Sequence, residues 1–120
     1  MDKLTCLNLA RQSYSDTQVL EIEHAIDVAT EAHAGQKRQS GENYIVHPLA
    51  VSAILCEWGM DVDTVLAGIL HDSGEDTSMS LEKIETLFGR DVAFLVDGVT
   101  KVSQARAGMR DLESYLPATK

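Results

Sequence analysis

Apolar residues in this chain recur every three or four positions, and this helical spacing is the feature that most constrains its fold. Within residues 17–34, Ile22 and Ile26 fall on one face of a helix. Asp16 precedes this segment as its predicted N-cap, and Gly35 follows as its expected end. No alternating run of apolar and polar residues is long enough to demand a sheet. The pattern therefore predicts an all-α helical bundle.

The same reasoning divides the rest of the chain. Residues 1–14 should contain a short helix, and the polar, glycine-flanked segment 35–44 should be a loop. Tyr14 and Trp58 are predicted to fill the core or a groove. Four more helices are predicted. The first runs from Pro48 to about Trp58 and ends at Gly59, and the second covers 64–76 after a cap at Asp61 or Asp63. The third covers 81–88 between Ser80 and Gly89, and the fourth covers 90–103.

Composition limits the class of protein. The 120 residues suffice for one domain, and 44% of them are hydrophobic but only 5% aromatic, so the core should be aliphatic. The formal charge of −9 argues against binding to nucleic acid or to an anionic membrane surface. Cys6 and Cys56 have no metal-finger spacing, and the chain begins without a signal-peptide pattern. We therefore expect a cytoplasmic protein with reduced thiols.

Metal-ligand residue types concentrate in two places, His47 and the run from His71 to Asp76. On a helix, the step of about 100° per residue puts His71, Asp72, Glu75 and Asp76 on one side. Carboxylates that share a face repel one another, and a bound cation would reverse that repulsion. Imidazole and carboxylate ligands with open positions suit Mn²⁺ or Fe²⁺ better than a closed Zn²⁺ site. Glu75 and Asp76 could then transfer protons.

Each of these residues also has a simpler interpretation. A His-Asp pair occurs by chance, the following acids could form a solvated turn, and His47 could merely precede a proline that starts a helix. Their joint occurrence at the end of an apolar helix favours a site. Lys37 and Arg38 could serve solubility or clamp a phosphate, with Arg38 binding in bidentate fashion. His24 and His33 are interpreted as surface or packing residues.

Several motifs resemble one known family. The strings Ala32-His33-Ala34-Gly35-Gln36-Lys37-Arg38-Gln39-Ser40-Gly41-Glu42-Asn43-Tyr44-Ile45-Val46-His47-Pro48 and Leu70-His71-Asp72-Ser73-Gly74-Glu75-Asp76-Thr77 resemble the opening and HD…ED motifs of the RelA/SpoT-type (p)ppGpp hydrolase domain. Leu87-Phe88-Gly89 and the string from Leu95 to Val102 follow where that family has similar strings. The resemblance covers about residues 15–103.

The resemblance implies an all-α HD-type bundle with Mn²⁺ that hydrolyses the 3′-pyrophosphate of ppGpp or pppGpp, releasing pyrophosphate and GDP or GTP. By position, the implied metal ligands are His47, His71 and Asp72. The implied catalytic residues are Glu75 and Asp76, which together would activate the water and assist the leaving group. The implied residues of the nucleotide pocket are Lys37, Arg38, Ser40 and Tyr44.

The chain also departs from the family pattern. Asn43 stands where the family usually has proline, and Ser73-Gly74 replaces an apolar pair. The family's fourth metal ligand, a downstream aspartate, is expected beyond Lys120. We therefore expect residues 1–103 to be the N-terminal portion of an HD-type domain that is incomplete at its C-terminal end, with activity impaired. Residues 104–120 should form a mobile or weakly docked tail, and an uncovered apolar face should favour a homodimer.

Overall fold

The computed structural model describes the backbone of residues 2–35, 41, 45–76 and 79–113, and within them the side chains of 2–35, 41, 45–71, 79–102 and 105. These residues contain six α-helices and no strand, which confirms the predicted all-α class. The helices are α1 (Lys3–Arg11), α2 (Asp16–Ala32), α3 (Val46–Glu57), α4 (Val62–Asp76), α5 (Leu81–Phe88) and α6 (Arg90–Glu113).

Helix α4 occupies the centre of the bundle. It packs against α2, α3 and α6, whereas α1 lies on α2 and α3, and α5 lies on α6. Val65, Leu66, Ala67, Ile69 and Leu70 are all buried, and at about 100° per residue they cover a little over half of the circumference of this helix. An apolar face this wide has to pack against more than one neighbour, and this explains the central position of α4. Among the described helices, none is long and apolar enough to cross a membrane.

The core is aliphatic, as the low aromatic content predicts. Its largest fully buried side chains are Ile22, Ile26, Leu66, Ile69, Leu70 and Ile84. Trp58 is 71% exposed, so the prediction that it fills the core or a groove is wrong. It forms the C-cap of α3, where the chain turns outward before Gly59. Tyr14 is partly buried against the core and donates a hydrogen bond to the carbonyl of Met60, as expected of a groove filler.

The N-cap of α2 is Ser15, and the prediction of Asp16 is wrong by one residue. The Ser15 hydroxyl accepts a hydrogen bond from the Gln18 amide at 3.2 Å, and the Gln18 side chain accepts one from the Ser15 amide at 3.0 Å. This reciprocal pair is a capping box, which satisfies two of the amide donors at the start of a helix. Asp16 becomes the first helical residue, where its charge still favours the positive end of the helix.

Most of the other helix ends are close to their predicted positions, and the end of α6 is the exception. The Asp61 carboxylate caps α4 by accepting from the Thr64 amide at 3.3 Å, and Ser80 and Gly89 bound α5 as predicted. Helix α3 begins two residues before Pro48. The first turn of a helix tolerates proline, because the amides there have no partner within the helix. Helix α6 continues to Glu113, ten residues beyond its predicted end.

Two predictions about surfaces stay untested. Residues 114–120 lie outside the described part of the chain, and the weak docking of 104–120 stays a prediction, although its first part is helical. Self-association also stays a prediction. Exposed apolar side chains that such an interface could use include Phe94 and Val102 of α6, which are 73% and 60% exposed.

Both thiols lie in one buried polar cluster between α1 and α3. Cys6 and Cys56 are free cysteines with 0% and 3% exposure. The Cys6 thiol donates to the Ser52 hydroxyl at 3.4 Å. Burial raises the pKa of both thiols above the ordinary value of 9.0, and the nearby Cys6 raises that of Cys56 further. The fold therefore holds both groups as neutral thiols.

We expect Ser15→Ala to lower the free energy of unfolding by about 1 kcal/mol, because it removes the side-chain acceptor of the capping box. Urea denaturation followed by circular dichroism measures the change. Thr17→Ala is the matched control, since Thr17 is exposed in the same first turn and is not the cap. Equal stabilities of the two variants would contradict the assignment of Ser15 as the cap.

We expect alkaline pH to destabilise the fold through Cys6 and Cys56. A raised folded-state pKa means that the protonated thiol is favoured by folding, so this stabilisation is complete below pH 9 and is lost as the pH rises toward the folded-state pKa. The difference in unfolding free energy between the natural chain and the C6A/C56A variant should therefore shift in favour of the variant above pH 9. Denaturation at pH 7 and pH 10 measures it. A difference that is the same at both pH values would contradict this account.

Candidate metal centre

Helices α3 and α4 form an antiparallel hairpin, and this hairpin positions the predicted metal ligands. Only residues 58–61 separate the two helices. A connection of about four residues joins antiparallel neighbours. The first turn of α3, which carries His47, therefore lies beside the C-terminal half of α4, which carries His71.

Gly68 marks a very close approach of the two helices. A Cβ atom built on this residue would lie 2.5 Å from Leu55 Cδ1 and 3.4 Å from Val51 Cγ1. Both contacts come from α3. Glycine in a helix interior costs about 1 kcal/mol relative to alanine. The absence of a side chain at this position has a packing reason, because the side chains of α3 occupy the space that a Cβ atom would need.

The contacts of Gly68 define which faces of the two helices meet. His47 precedes Val51 by four residues and Leu55 by eight, so all three lie along one stripe of α3. On α4, positions 71, 72 and 75 follow Gly68 by three, four and seven residues, which places them on the same face. Because Val51 and Leu55 pack against Gly68, the stripe of α3 that contains them faces the stripe of α4 that contains Gly68. The first stripe includes position 47, and the second includes positions 71, 72 and 75.

The antiparallel direction also brings these positions to one level along the helix axes. The step along α3 from Leu55 and Val51 back to His47 runs in the same direction in space as the step along α4 from Gly68 forward to His71. With a rise of about 1.5 Å per residue, His47 and His71 are offset by only about 5 Å along the axes. Both imidazoles are partly buried. The fold therefore brings the two histidines to the same end of one helix pair.

The ring orientation of His71 is fixed by a hydrogen bond within α4. Its Nδ1 lies 2.8 Å from the carbonyl oxygen of Gly68. A carbonyl can only accept, so Nδ1 carries the proton and donates it. In this tautomer the lone pair is on Nε2. A histidine that donates from one ring nitrogen to a backbone carbonyl and presents the other for coordination is the usual arrangement at protein metal sites.

The charge at the end of α4 suits a cation. Helix C-termini carry a partial negative charge, yet α4 ends in Glu75 and Asp76 and has no basic residue in its last turn. Asp72 adds a third acidic residue one turn earlier. These residue types, with two imidazoles nearby, match the nitrogen and oxygen ligands that divalent transition metals prefer. The donor set therefore fits a divalent ion.

The described side chains include only part of this set. Among them no group of three or more His, Cys, Asp or Glu could hold a metal ion, and the side chains of Asp72, Glu75 and Asp76 are not among those described. Their backbone lies in α4 as the helical spacing predicts. The ligand role of Asp72 and the catalytic roles of Glu75 and Asp76 stay predictions.

The predicted nucleotide contacts cannot be located in the same way. Lys37, Arg38, Ser40 and Tyr44 lie outside the described residues, so their role stays a prediction. They belong to the segment that joins α2 to α3, and Ile45, at its end, directly precedes the first turn of α3. This segment therefore leads the chain to His47.

The other two histidines lie on α2 or at its end. His24 is exposed and packs against Phe88, with 4.8 Å between the ring centroids. It lines an open cavity of about 450 Å³ between α2 and α5, together with Glu31 and Lys83. Of the predicted metal ligands whose side chains the structure describes, neither His47 nor His71 lines this cavity. His33 is 3% exposed at the C-cap of α2, as expected of a packing residue.

Sequence reasoning missed Gly68, although a signal was present. An isolated glycine inside an otherwise apolar helix lowers helix stability, and it usually has a packing or functional reason. The spacing from Gly68 to His71 is three residues, which is the distance that allows the side chain of one to reach the carbonyl of the other. The identity of the residue packed against it required the tertiary structure.

We expect NMR to find the proton of the neutral His71 ring on Nδ1. Long-range ¹H–¹⁵N spectra of the metal-free chain at about pH 8, above the ordinary imidazole pKa of about 6.5, distinguish the two tautomers. The physical reason is the Gly68 carbonyl, which only a protonated Nδ1 can satisfy. Exposed His24 serves as the internal reference, for which we expect the ordinary mixture of tautomers. A proton on Nε2 of His71 would contradict the assigned orientation.

The chain is similar in sequence to a known domain family and to several curated proteins. The HD domain family model matches residues 25–115. A GTP pyrophosphokinase of Streptomyces coelicolor is 53% identical over 88 residues, which is 73% of this chain and 10% of the relative. A guanosine-3′,5′-bis(diphosphate) 3′-pyrophosphohydrolase of Aquifex aeolicus is 46% identical over 95 residues, which is 79% of this chain and 14% of the relative.

A third relative is the bifunctional (p)ppGpp synthase/hydrolase SpoT of Escherichia coli, which is 45% identical over 101 residues. The match covers 83% of this chain and 14% of that protein. The chain thus spans between 10% and 14% of the length of these curated relatives. Relatives of the RelA/SpoT type confirm the resemblance that the sequence motifs indicate.

Proposed function

This chain belongs to the HD domain family, and from that membership we propose that it is the metal-binding part of a (p)ppGpp 3′-pyrophosphohydrolase. The substrate is a guanosine nucleotide with a pyrophosphate on its 3′ oxygen, as the name of the Aquifex relative says of that protein. The name of the Escherichia relative, a (p)ppGpp synthase/hydrolase, supports the same substrate class. The observation that carries the proposal is the register of α3 against α4, which brings His47 and His71 to one end of the helix pair.

We propose Mn²⁺ as the ion, held by His47, His71 and Asp72. The Nδ1 hydrogen bond of His71 supports this, because it leaves the lone pair on Nε2. The acidic end of α4 supports it as well, since a cation there offsets the repulsion among neighbouring carboxylates. When bound, the ion supplies Lewis acidity toward a phosphoryl oxygen and lowers the pKa of a bound water.

The protein residues then handle the substrate and its protons. Glu75 accepts a proton from the attacking water, whose oxygen forms a bond to the phosphorus attached to the 3′ oxygen. The bond from that phosphorus to the 3′ oxygen breaks, and Asp76 assists the departure of the nucleotide by supplying a proton. The products are pyrophosphate and GDP or GTP. In this proposal Lys37 and Arg38 bind phosphates, and Ser40 and Tyr44 shape the nucleotide pocket.

Local positive charge is necessary for this substrate, because the whole chain carries a formal charge of −9 and would repel a polyanion. The ion and the Lys37-Arg38 pair supply that charge at the site. The N-terminus of α3 adds to it, since His47 lies in the first turn, where the helix dipole is positive. We further propose a cytoplasmic location, where guanosine nucleotides occur.

Metal binding is the first test. Titration calorimetry of the metal-free chain should detect Mn²⁺ binding, and His71→Ala or Asp72→Ala should weaken it by more than about 100-fold, because each removes one direct ligand. His24→Ala is the matched control, since it removes an exposed imidazole on another helix, and its affinity should equal that of the natural chain. Equal Mn²⁺ affinity in all four proteins would refute the metal centre.

The substrate class is the second part of the same test. With Mn²⁺ present, the chain should release pyrophosphate from ppGpp or pppGpp in preference to ATP, GTP and other nucleotides. Glu75→Gln should lower kcat by about 100-fold or more, since it removes a general base while leaving the proposed ligands in place. Preference for a nucleotide without a 3′-pyrophosphate would instead indicate an HD phosphohydrolase of a different substrate. Metal binding without hydrolysis of any nucleotide would indicate a non-catalytic module.

A further inference from the structure

We propose that Gly68 is a positioning residue of the metal centre: its missing side chain sets the spacing of α3 and α4 that allows His47 and His71 to bind one ion. The inference rests on the proposed function, because it concerns the same centre. It assigns a role to a residue that carries no metal-binding group of its own. Gly68 would act through the two histidines and would touch neither the ion nor the substrate.

The first observation is the space around Gly68. A Cβ atom there would lie 2.5 Å from Leu55 Cδ1, closer than real Cβ atoms come to their neighbours, and 3.4 Å from Val51 Cγ1. Any larger side chain would have to displace α3 or the Leu55 side chain. Packed interiors respond to such an insertion by shifts of backbone and side chains, because no void is available.

The second observation is the direction in which a shift would act. Val51 and Leu55 lie on the same stripe of α3 as His47, and Val51 is only one turn away from it. A side chain at position 68 would therefore press on the stripe that carries His47. Metal ligands must keep their distances within about 0.2 Å, so a movement of a fraction of an ångström between the helices matters.

The third observation links the same residue to the other histidine. The Gly68 carbonyl accepts the hydrogen bond that fixes His71, at 2.8 Å. Gly68 thus packs through its Cα against the stripe of α3 that carries His47, and it orients His71 through its carbonyl. Altering a contact that orients a metal ligand without touching the metal typically changes the metal affinity by about 10-fold to 100-fold.

Helix propensity alone does not account for glycine at this position. Alanine and valine are both better helix formers than glycine, so a purely local role would make either substitution stabilising. A single methyl group meets mainly Leu55 Cδ1, the far end of a flexible side chain that can rotate away. A valine adds two further methyl groups to a Cβ position that already has atoms of both Leu55 and Val51 within 3.4 Å. The size of the residue, and not its helix propensity, should therefore decide the outcome.

The test compares Gly68→Ala, Gly68→Val and the double variant G68V/L55A in the 120-residue chain. We expect Gly68→Val to weaken Mn²⁺ binding by about 10-fold or more, Gly68→Ala to stay within about 3-fold of the natural chain, and G68V/L55A to recover most of the loss. Recovery is expected because truncation of Leu55 creates the space that valine needs. Ile84→Ala is the control, since it removes a fully buried side chain from α5, a helix that packs on α6 and not on α3.

A metal-free measurement makes the result independent of the proposed function. In ¹H–¹⁵N spectra without metal, the His47 amide signal should move in Gly68→Val and return toward its original position in G68V/L55A, while Ile84→Ala should leave it in place. His47 is on a different helix from the substitution, so a purely local effect of valine would not move it.

The outcomes separate the two proposals. If the natural chain binds Mn²⁺ and Gly68→Val binds it equally well, the positioning role is wrong and the proposed function stands. If the natural chain binds no Mn²⁺, the proposed metal centre fails, and the His47 signal alone decides whether Gly68 sets the helix spacing. A loss of affinity in Ile84→Ala as large as in Gly68→Val, or no recovery in the double variant, would also overturn the inference.

Discussion

The contact between α3 and α4 at Gly68 is the constraint on which the candidate centre depends. The short connection of residues 58–61 fixes the two helices as antiparallel neighbours, but it does not fix how close they come or which faces meet. The packing of Leu55 and Val51 over a residue without a side chain decides both. His47 lies one to two turns from that contact and His71 lies about one turn from it in the same direction, so the two are offset by only about 5 Å along the helix axes.

The acidic end of α4 carries an electrostatic cost that the fold alone does not explain. Asp72, Glu75 and Asp76 stand in the last turns of the helix, where the dipole disfavours negative charge, and no basic residue accompanies them in the final turn. Natural sequences break local rules of this kind mainly at functional sites, where a ligand compensates for the cost. A divalent cation would supply that compensation, and the HD domain family to which the chain belongs consists of metal-dependent hydrolases.

Sequence reasoning succeeded where the governing interactions are local. The helices follow from apolar spacing, and the caps of α4 and α5 follow from side chains that reach amides three residues away. It was less accurate where two local choices are nearly equal, as at Ser15 and Asp16, which are both good caps. The end of α6 was placed ten residues too early, because residues beyond 103 show little amphipathic pattern although many of them favour helix.

The sequence by itself determined the helical class, the aliphatic core, the family and the residue types of the candidate centre. These properties depend on spacing along one helix, which is fixed by 3.6 residues per turn. Only the tertiary structure decided that Trp58 is exposed and that the side chains of Val51 and Leu55 pack closely over Gly68. The pairing of two helix faces depends on side chains far apart in the chain, and no periodicity within either helix specifies it.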